Sequence, residues 1–277
     1  MRFFVSGVFA MLWRRRLRQT PSSRFPSFPF PANGVSTSNE AKKAAGEAGA
    51  ALVEDGMHVG LGTGSTTACA LRALGRRLRS GELKRVTGVP TSPGTERLAR
   101  AEGIPLTTLD DRGGQEGAAP LDLALDGADE VDPALNVIKG GGAAHTREKV
   151  VAAEAECFVI LADASKEVKR LGERAPVPVE VLPMAAGPVA RHLEKAGAAA
   201  AELRTGASKD GPVVTDQGLW VLDAHFAPEG LPDAHAFAEA LARRPGVLDH
   251  GLFLERATDV LVGRSSGNGV KHRRRRP

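Results

Sequence analysis

Between Met57 and Leu161, short apolar runs alternate with helical periods, and most of the runs close in a turn of Gly, Ser, Thr or Asp. That order restricts the chain to a parallel sheet, because parallel neighbours need a crossover and a helix is its usual form. Residues 57–62, 85–90, 104–109, 121–125 and 158–161 read as strands. Residues 66–79, 94–102 and 146–155 read as helices between them, and 111–120 as a loop. An Ala-rich helix from Glu40 to about residue 54 comes first, with Ser38 or Asn39 as its N-cap. The expected fold class is α/β, with a doubly wound parallel sheet.

After Leu171 the rhythm changes. A strand at 177–181, a helix at 188–195, a helix at 233–243 and a strand at 251–253 predict a small α+β unit. Asp216-Gln217-Gly218 between 213–215 and 219–222 predicts a hairpin there. Residues 258–262 are expected back in the main sheet. The predicted domains are therefore 38–170 plus 257–270, and 171–256.

The two ends stand apart. The first 39 residues hold no acid and are rich in Arg, Ser, Phe and Pro. Residues 1–37 read as a transit-like extension, or as upstream sequence from a misassigned start. The first reading places the protein in a plastid or mitochondrion, the second in the cytoplasm. The Arg runs at 14–18 and 273–276 dominate a net charge of +4 and read as solvated tails, with 271–277 a basic tail. With no Tyr and few aromatics, a base-stacking surface for nucleic acid is not expected. No run approaches the ~18 apolar residues of a membrane span. Cys69 and Cys157 form no C-x-x-C pair and read as two buried thiols in a reducing compartment.

Four segments carry candidate chemistry. Gly60-Leu61-Gly62-Thr63-Gly64-Ser65-Thr66 follows the first strand. It lacks the Gly-Lys-Ser/Thr ending of a Walker loop and does not complete G-x-G-x-x-G. It still supplies glycines, helix-start N–H groups and three hydroxyls for an anion; the competing reading is a tight turn with a Ser N-cap. Asp126-Gly127-Ala128-Asp129 ends an apolar strand, on the side where open α/β sheets bind ligands. Its two carboxylates suit a sugar or a metal, or form an ordinary Asp-rich turn; no further cluster completes a hard-metal site. Lys139-Gly140-Gly141-Gly142 precedes a helix bearing Glu148. Three glycines cost chain entropy and imply close approach to the backbone. Lys166, after the strand at 158–161, is a candidate phosphate partner or a solvated surface Lys. His145 lacks an orienting acid and is not taken as a base.

Five strings together resemble the ribose-5-phosphate isomerase A family. They are Gly-Leu-Gly-Thr-Gly-Ser-Thr at 60–66, Leu-Asp-Gly-Ala-Asp-Glu at 125–130 and Ile-Lys-Gly-Gly-Gly-Ala-Ala-His-Thr-Arg-Glu-Lys at 138–149, with Ala-Asp-Ala-Ser-Lys at 162–166 and Pro-Val-Glu-Val-Leu-Pro-Met at 178–184. The resemblance covers about residues 40–270. It implies a Rossmann-like domain with a smaller ferredoxin-like one, assembly as a homodimer or homotetramer, and no metal or organic cofactor. It implies interconversion of D-ribose 5-phosphate and D-ribulose 5-phosphate through a cis-enediol(ate), a step of the non-oxidative pentose phosphate pathway. By position, Thr63, Gly64, Ser65, Thr66, Asp126, Gly127, Ala128, Asp129, Lys139, Gly140, Gly141, Gly142, Lys166 and Lys42 would bind substrate. Glu148 would be the proton-transferring base, with Asp126, Asp129 and Lys139 assisting. His145 stands where the family often has an aliphatic residue. Two rivals, a sugar-phosphate sensor and a coenzyme A transferase, need a helix-turn-helix segment or a coenzyme site that these strings do not supply.

Overall fold

The structure, a computed structural model, describes residues 37–111, 121–206, 210–265 and 269–275. The expectations for residues 1–36, for the loop at 112–120 and for Arg276 lie outside the described residues. In chain order the first half holds α1 (Thr37–Ala50), β1 (His58–Leu61), α2 (Ser65–Arg79), β2 (Thr87–Pro90) and α3 (Pro93–Ala101). It continues with β3 (Leu121–Gly127), β4 (Glu130–Val131), β5 (Val137–Ile138), α4 (His145–Ala153) and β6 (Ala155–Asp163). The second half holds β7 (Val177–Val181), α5 (Ala186–Lys195), β8 (Ala200–Leu203), β9 (Trp220–His225) and α6 (Ala234–Ala242). It ends with β10 (Val247–His250), β11 (Leu252–Phe253), β12 (Asp259–Gly263) and β13 (Val270–Arg274).

Local chemistry sets several of these boundaries. Ser92 caps α3 by accepting from the Thr95 N–H at 3.1 Å, and Pro93 opens it, where a missing N–H costs nothing. Asp233 caps α6 through the Ala236 N–H at 2.9 Å. α2 differs: Gly64 stands at its N-cap and no side chain caps it, so the Ser N-cap reading of this turn is corrected.

The six-stranded sheet runs β13-β12-β6-β3-β1-β2, parallel except for β13. β3, β6 and β12 are almost wholly buried, which is why they read as continuous apolar runs. Leu123, Val159, Ile160, Leu161, Val260 and Val262 are at most 2% exposed. Each such side chain contributes about 1.5–3 kcal/mol by leaving water. A four-stranded antiparallel sheet, β10-β7-β9-β8, has its own core of Val177, Val179, Val189, Leu193, Phe237 and Leu241. A third small sheet, β11-β5-β4, joins a strand from each half of the chain.

Several expectations are corrected. Residues 104–109 form no strand; one isolated bridge links Leu106 to Gly88. The hairpin expected around 216–218 is present but short: Gly218, at φ 78°, turns the chain, the Thr215 N–H donates to Leu219 O at 2.8 Å and Val214 bridges Trp220 antiparallel, while the rest of β9 pairs with β7 and β8. Cys157 is buried but Cys69 is half-buried. The basic end at 271–277 is not a free tail over its described part. Residues 270–274 pair antiparallel with β12, covering the edge that β12 would otherwise expose. Their charges have partners: Lys271 and Arg273 meet Glu167 at 3.2 and 3.1 Å, and His272 and Arg274 meet buried Asp259 at 2.7 and 3.0 Å.

Candidate active site

β3 ends at the C-terminal edge of the parallel sheet, and Asp126 sits there only 2% exposed. Burying a carboxylate is costly unless its oxygens are paired. Asp126 Oδ1 accepts the N–H groups of Gly127 at 2.7 Å and Thr63 at 3.1 Å. Its Oδ2 lies 3.0 Å from Lys139 Nζ. Gly62 makes this possible: a Cβ there would fall 2.2 Å from the Asp126 carboxyl carbon. The first glycine loop therefore admits a protein carboxylate at Gly62, besides any ligand it holds.

Lys139 follows β5, and its N–H donates to Gly251 O at 2.9 Å, so the small sheet fixes its backbone. Its ammonium is 3% exposed and donates to Gly127 O at 2.7 Å. It also lies 3.1 Å from Glu148 Oε2 and 5.7 Å from the centre of the Phe253 ring. Glu148, in the first turn of α4, is 5% exposed. One cation thus stands between two buried carboxylates. Burial first, and the Asp126 carboxylate second, push the Glu148 carboxyl from its ordinary 4.5 up to about 8, against the pull of Lys139; Asp129 adds a smaller push. Burial likewise raises Asp126, while its two carboxylates hold Lys139 protonated despite burial.

The glycine loop is held from both sides. Gly140 has φ 104°, and a Cβ there would lie 2.7 Å from His145 Nδ1. His145 is wholly buried beneath the loop, and burial, with Lys149 next, pushes its imidazole down to about 3. It is a neutral packing residue at working pH. Asp129 Oδ2 accepts the Gly141 N–H at 2.8 Å. From the other side Arg204 donates to Gly140 O at 2.8 Å and Gly141 O at 3.2 Å, while binding Asp223 with the rest of its guanidinium.

Asp129, Gly141 and Lys166 line one cleft of about 260 Å³, shared with Ser165, Arg174 and Arg204. Lys166 is half-buried in a short 3₁₀ turn that Asp163 caps through the Ser165 N–H at 2.9 Å. Glu130 braces the far wall by accepting the N–H groups of Gly172, Arg174 and Ala175 at 2.6, 2.6 and 2.8 Å. No sequence motif singles out Arg174 or Arg204; Arg204 reaches the cleft only because it follows β8 in the pairing with β9.

The first loop touches this cluster through the Thr63 N–H on Asp126 Oδ1. The Thr63 hydroxyl is engaged by Thr91, Ser92 and Thr95 at 2.8, 2.8 and 3.1 Å. Gly64 and Ser65 are exposed at the uncapped start of α2, and Thr66 is 8% exposed. Gly127 and Ala128 are half-buried between the two aspartates, and Gly142 is exposed beyond Gly141. Lys42 is half-buried on α1 and is not part of the Asp126–Lys139–Glu148 cluster. Among the described residues, no group of three or more His, Cys, Asp or Glu is arranged to hold a metal ion.

The chain is similar to known proteins. The family model described as ribose 5-phosphate isomerase A (phosphoriboisomerase A) matches residues 87–267. Ribose-5-phosphate isomerase A of Thermosynechococcus vestitus is 54% identical over 222 residues, 80% of this chain and 90% of that protein. A solved D-ribose-5-phosphate isomerase in complex with phospho-erythronic acid is 42% identical with a TM-score of 0.79, covering 85% of this chain and 98% of that one. Ribose 5-phosphate isomerase A from Methanocaldococcus jannaschii is also 42% identical, with a TM-score of 0.77 over 84% of this chain and 98% of that one.

Proposed function

The chain belongs to the ribose 5-phosphate isomerase A family, and from that premise we propose how its own residues interconvert D-ribose 5-phosphate and D-ribulose 5-phosphate. The observation that carries the reading is the buried Asp126–Lys139–Glu148 cluster at the sheet's C-terminal edge. Glu148 takes the C2 proton of the open-chain aldose, and the C–H electrons form the C1=C2 bond. The charge that moves onto O1 is stabilised by Lys139 and nearby N–H groups. O1 then gains a proton, O2 loses one, and Glu148 returns its proton to C1 as the C2 carbonyl forms. Asp126 or Asp129 moves the hydroxyl protons. The phospho-erythronic acid bound by the 42% identical isomerase supports this site chemistry, since a phosphorylated acid presents a planar anion like the enediolate.

Thr63 to Thr66, Asp126 to Asp129 and Lys139 to Gly142 then hold the sugar, and Lys166, with Lys42, the phosphate end. The four-stranded sheet and its helices form the smaller domain of the same proposal, and the assembly is a homodimer or homotetramer. Among the described residues no helix is long and apolar enough to cross a membrane. Residues 1–37 decide the compartment: cytoplasm if they are a misassigned start, plastid or mitochondrion if they are a transit peptide.

Three outcomes test this reading. In a coupled assay the purified protein is expected to convert ribose 5-phosphate at a rate unchanged by exhaustive chelation. A protein silenced by chelator and rescued by a divalent ion would replace the enediol route with a metal-assisted one. Because the base must be ionised, kcat/KM is expected to rise with pH up to about 8 and level off above it. A flat profile from pH 6 to 9 contradicts a base of raised pKa. Lys166→Ala, which removes a cation from the cleft, is expected to raise KM roughly 10-fold with little change in kcat. Parent-like constants in that variant make Lys166 a surface residue.

A further inference from the structure

Helix α4 presents Glu148 to the Asp126–Lys139 pair, yet its neighbouring side chains are fastened to the other part of the molecule. Thr146, two residues before Glu148, donates its hydroxyl to Glu180 Oε2. Glu180 lies in β7 with no exposed surface. Its Oε1 accepts from the Thr215 hydroxyl at 2.5 Å and the Gln217 side-chain amide at 3.4 Å. Arg147 lies 3.8 Å from Asp216 in the same turn, and Lys149 donates to Asp249 of β10 at 2.6 Å. The residues on either side of Glu148 are therefore gripped by β7, the 215–218 turn and β10.

Glu180 takes part in no ion pair among the described residues. A wholly buried carboxylate held only by hydroxyls and an amide is a costly way to fill a core, and an apolar side chain of similar volume is often at least as stable. What a carboxylate adds is short, directional, charge-assisted hydrogen bonding. Here that bond fixes the first turn of α4, and so the rotation that aims Glu148. We propose that Glu180 is a positioning residue for proton transfer, acting through the Thr146 hydroxyl on the helix that carries the base. The proposal rests on Glu148 being that base.

The test compares Thr146→Val, which keeps the shape and loses the hydroxyl, with Thr146→Ser, which keeps the hydroxyl. Thr146→Val is expected to lower kcat roughly 10- to 100-fold with KM changed little, since small misplacements of a catalytic group cost that much. Thr146→Ser is expected to stay near the parent. Glu180→Gln combined with Thr146→Val is expected to be no slower than the slower single variant, because one contact is being removed twice. A folded Thr146→Val enzyme with parent kcat overturns the proposal, as do equal losses in Val and Ser variants or losses that multiply. If Glu180→Gln does not fold, the two Thr146 variants still decide. Glu148→Gln, assayed beside them, separates the premises. An inactive Glu148→Gln with a normal Thr146→Val sinks the positioning role alone, whereas an active Glu148→Gln sinks the base and the positioning role together.

Discussion

Glu148→Gln is expected to lower kcat by roughly 10²–10⁴-fold while leaving folding and substrate affinity close to the parent's. The amide keeps the size of the side chain and an oxygen for Lys139, but it cannot accept the C2 proton. Stability is expected to hold or rise, because a neutral amide lacks the burial cost that raises Glu148 from 4.5 to about 8. The sign of the pH dependence follows from the same shift. Between about 4.5 and 8 the native carboxyl binds its proton more tightly than the unfolded one does. The native state then carries more protons than the unfolded state, so this group makes the parent less stable as pH rises through that window. Chemical denaturation across that range should show a shallower decline in Glu148→Gln than in the parent. Incubation with ribose 5-phosphate in deuterated water follows exchange at C2. Near-normal exchange or turnover in a folded Glu148→Gln protein would leave Asp126 and Asp129 as the candidate bases.

Lys139→Met is expected to damage both the fold and the reaction. The thioether fills much of the lysine's volume but leaves Asp126 and Glu148, 2% and 5% exposed, without the cation between them. Removing one partner of a buried ion pair typically costs 3–5 kcal/mol, so an unfolding free energy lower by about that much is expected, read as a lower denaturant midpoint. Without the ammonium the Glu148 carboxyl shifts up further, which lowers the ionised fraction at neutral pH. The oxygen that gains charge at C1 also loses its donor. Together these are expected to reduce kcat/KM roughly 10²–10³-fold or more. A variant with the parent's midpoint and most of its activity would show that backbone N–H groups, rather than Lys139, stabilise the site.

Much of the main sheet was legible before any coordinates. Residues 66–79 and 94–102 read as helices and are Ser65–Arg79 and Pro93–Ala101. They carry a helical period of buried residues, such as Ala70, Leu71 and Leu74, and a side-chain cap where Ser92 stands. β8 and β10 were not legible. Ala200-Ala-Glu-Leu and Val247-Leu-Asp-His have no apolar alternation of their own, and the strands form because β9 and β7 offer pairing edges. The Arg-rich end misled for a related reason. Its charges look solvated in isolation, but β12 supplies a free edge and Glu167 and Asp259 supply counter-charges.

For the site, the sequence by itself determined the inventory: two aspartates after an apolar strand, a lysine before three glycines, and a glutamate in the next helical turn. Those choices are local, since glycines, strand ends and helix starts are set by neighbouring residues. What only the tertiary structure decided is their relation. Sheet pairing beside β3 and β5, and the rotation of α4, bring Asp126 and Glu148 each within 3.1 Å of the Lys139 ammonium, where all three side chains are at most 5% exposed and water screens them little. The same folding turned His145 into packing, drew Arg204 onto the glycine loop and set Glu180 behind the base. Distances and burial arise from segments far apart in the chain, and they determine how strongly each charge acts; no run of residues states them.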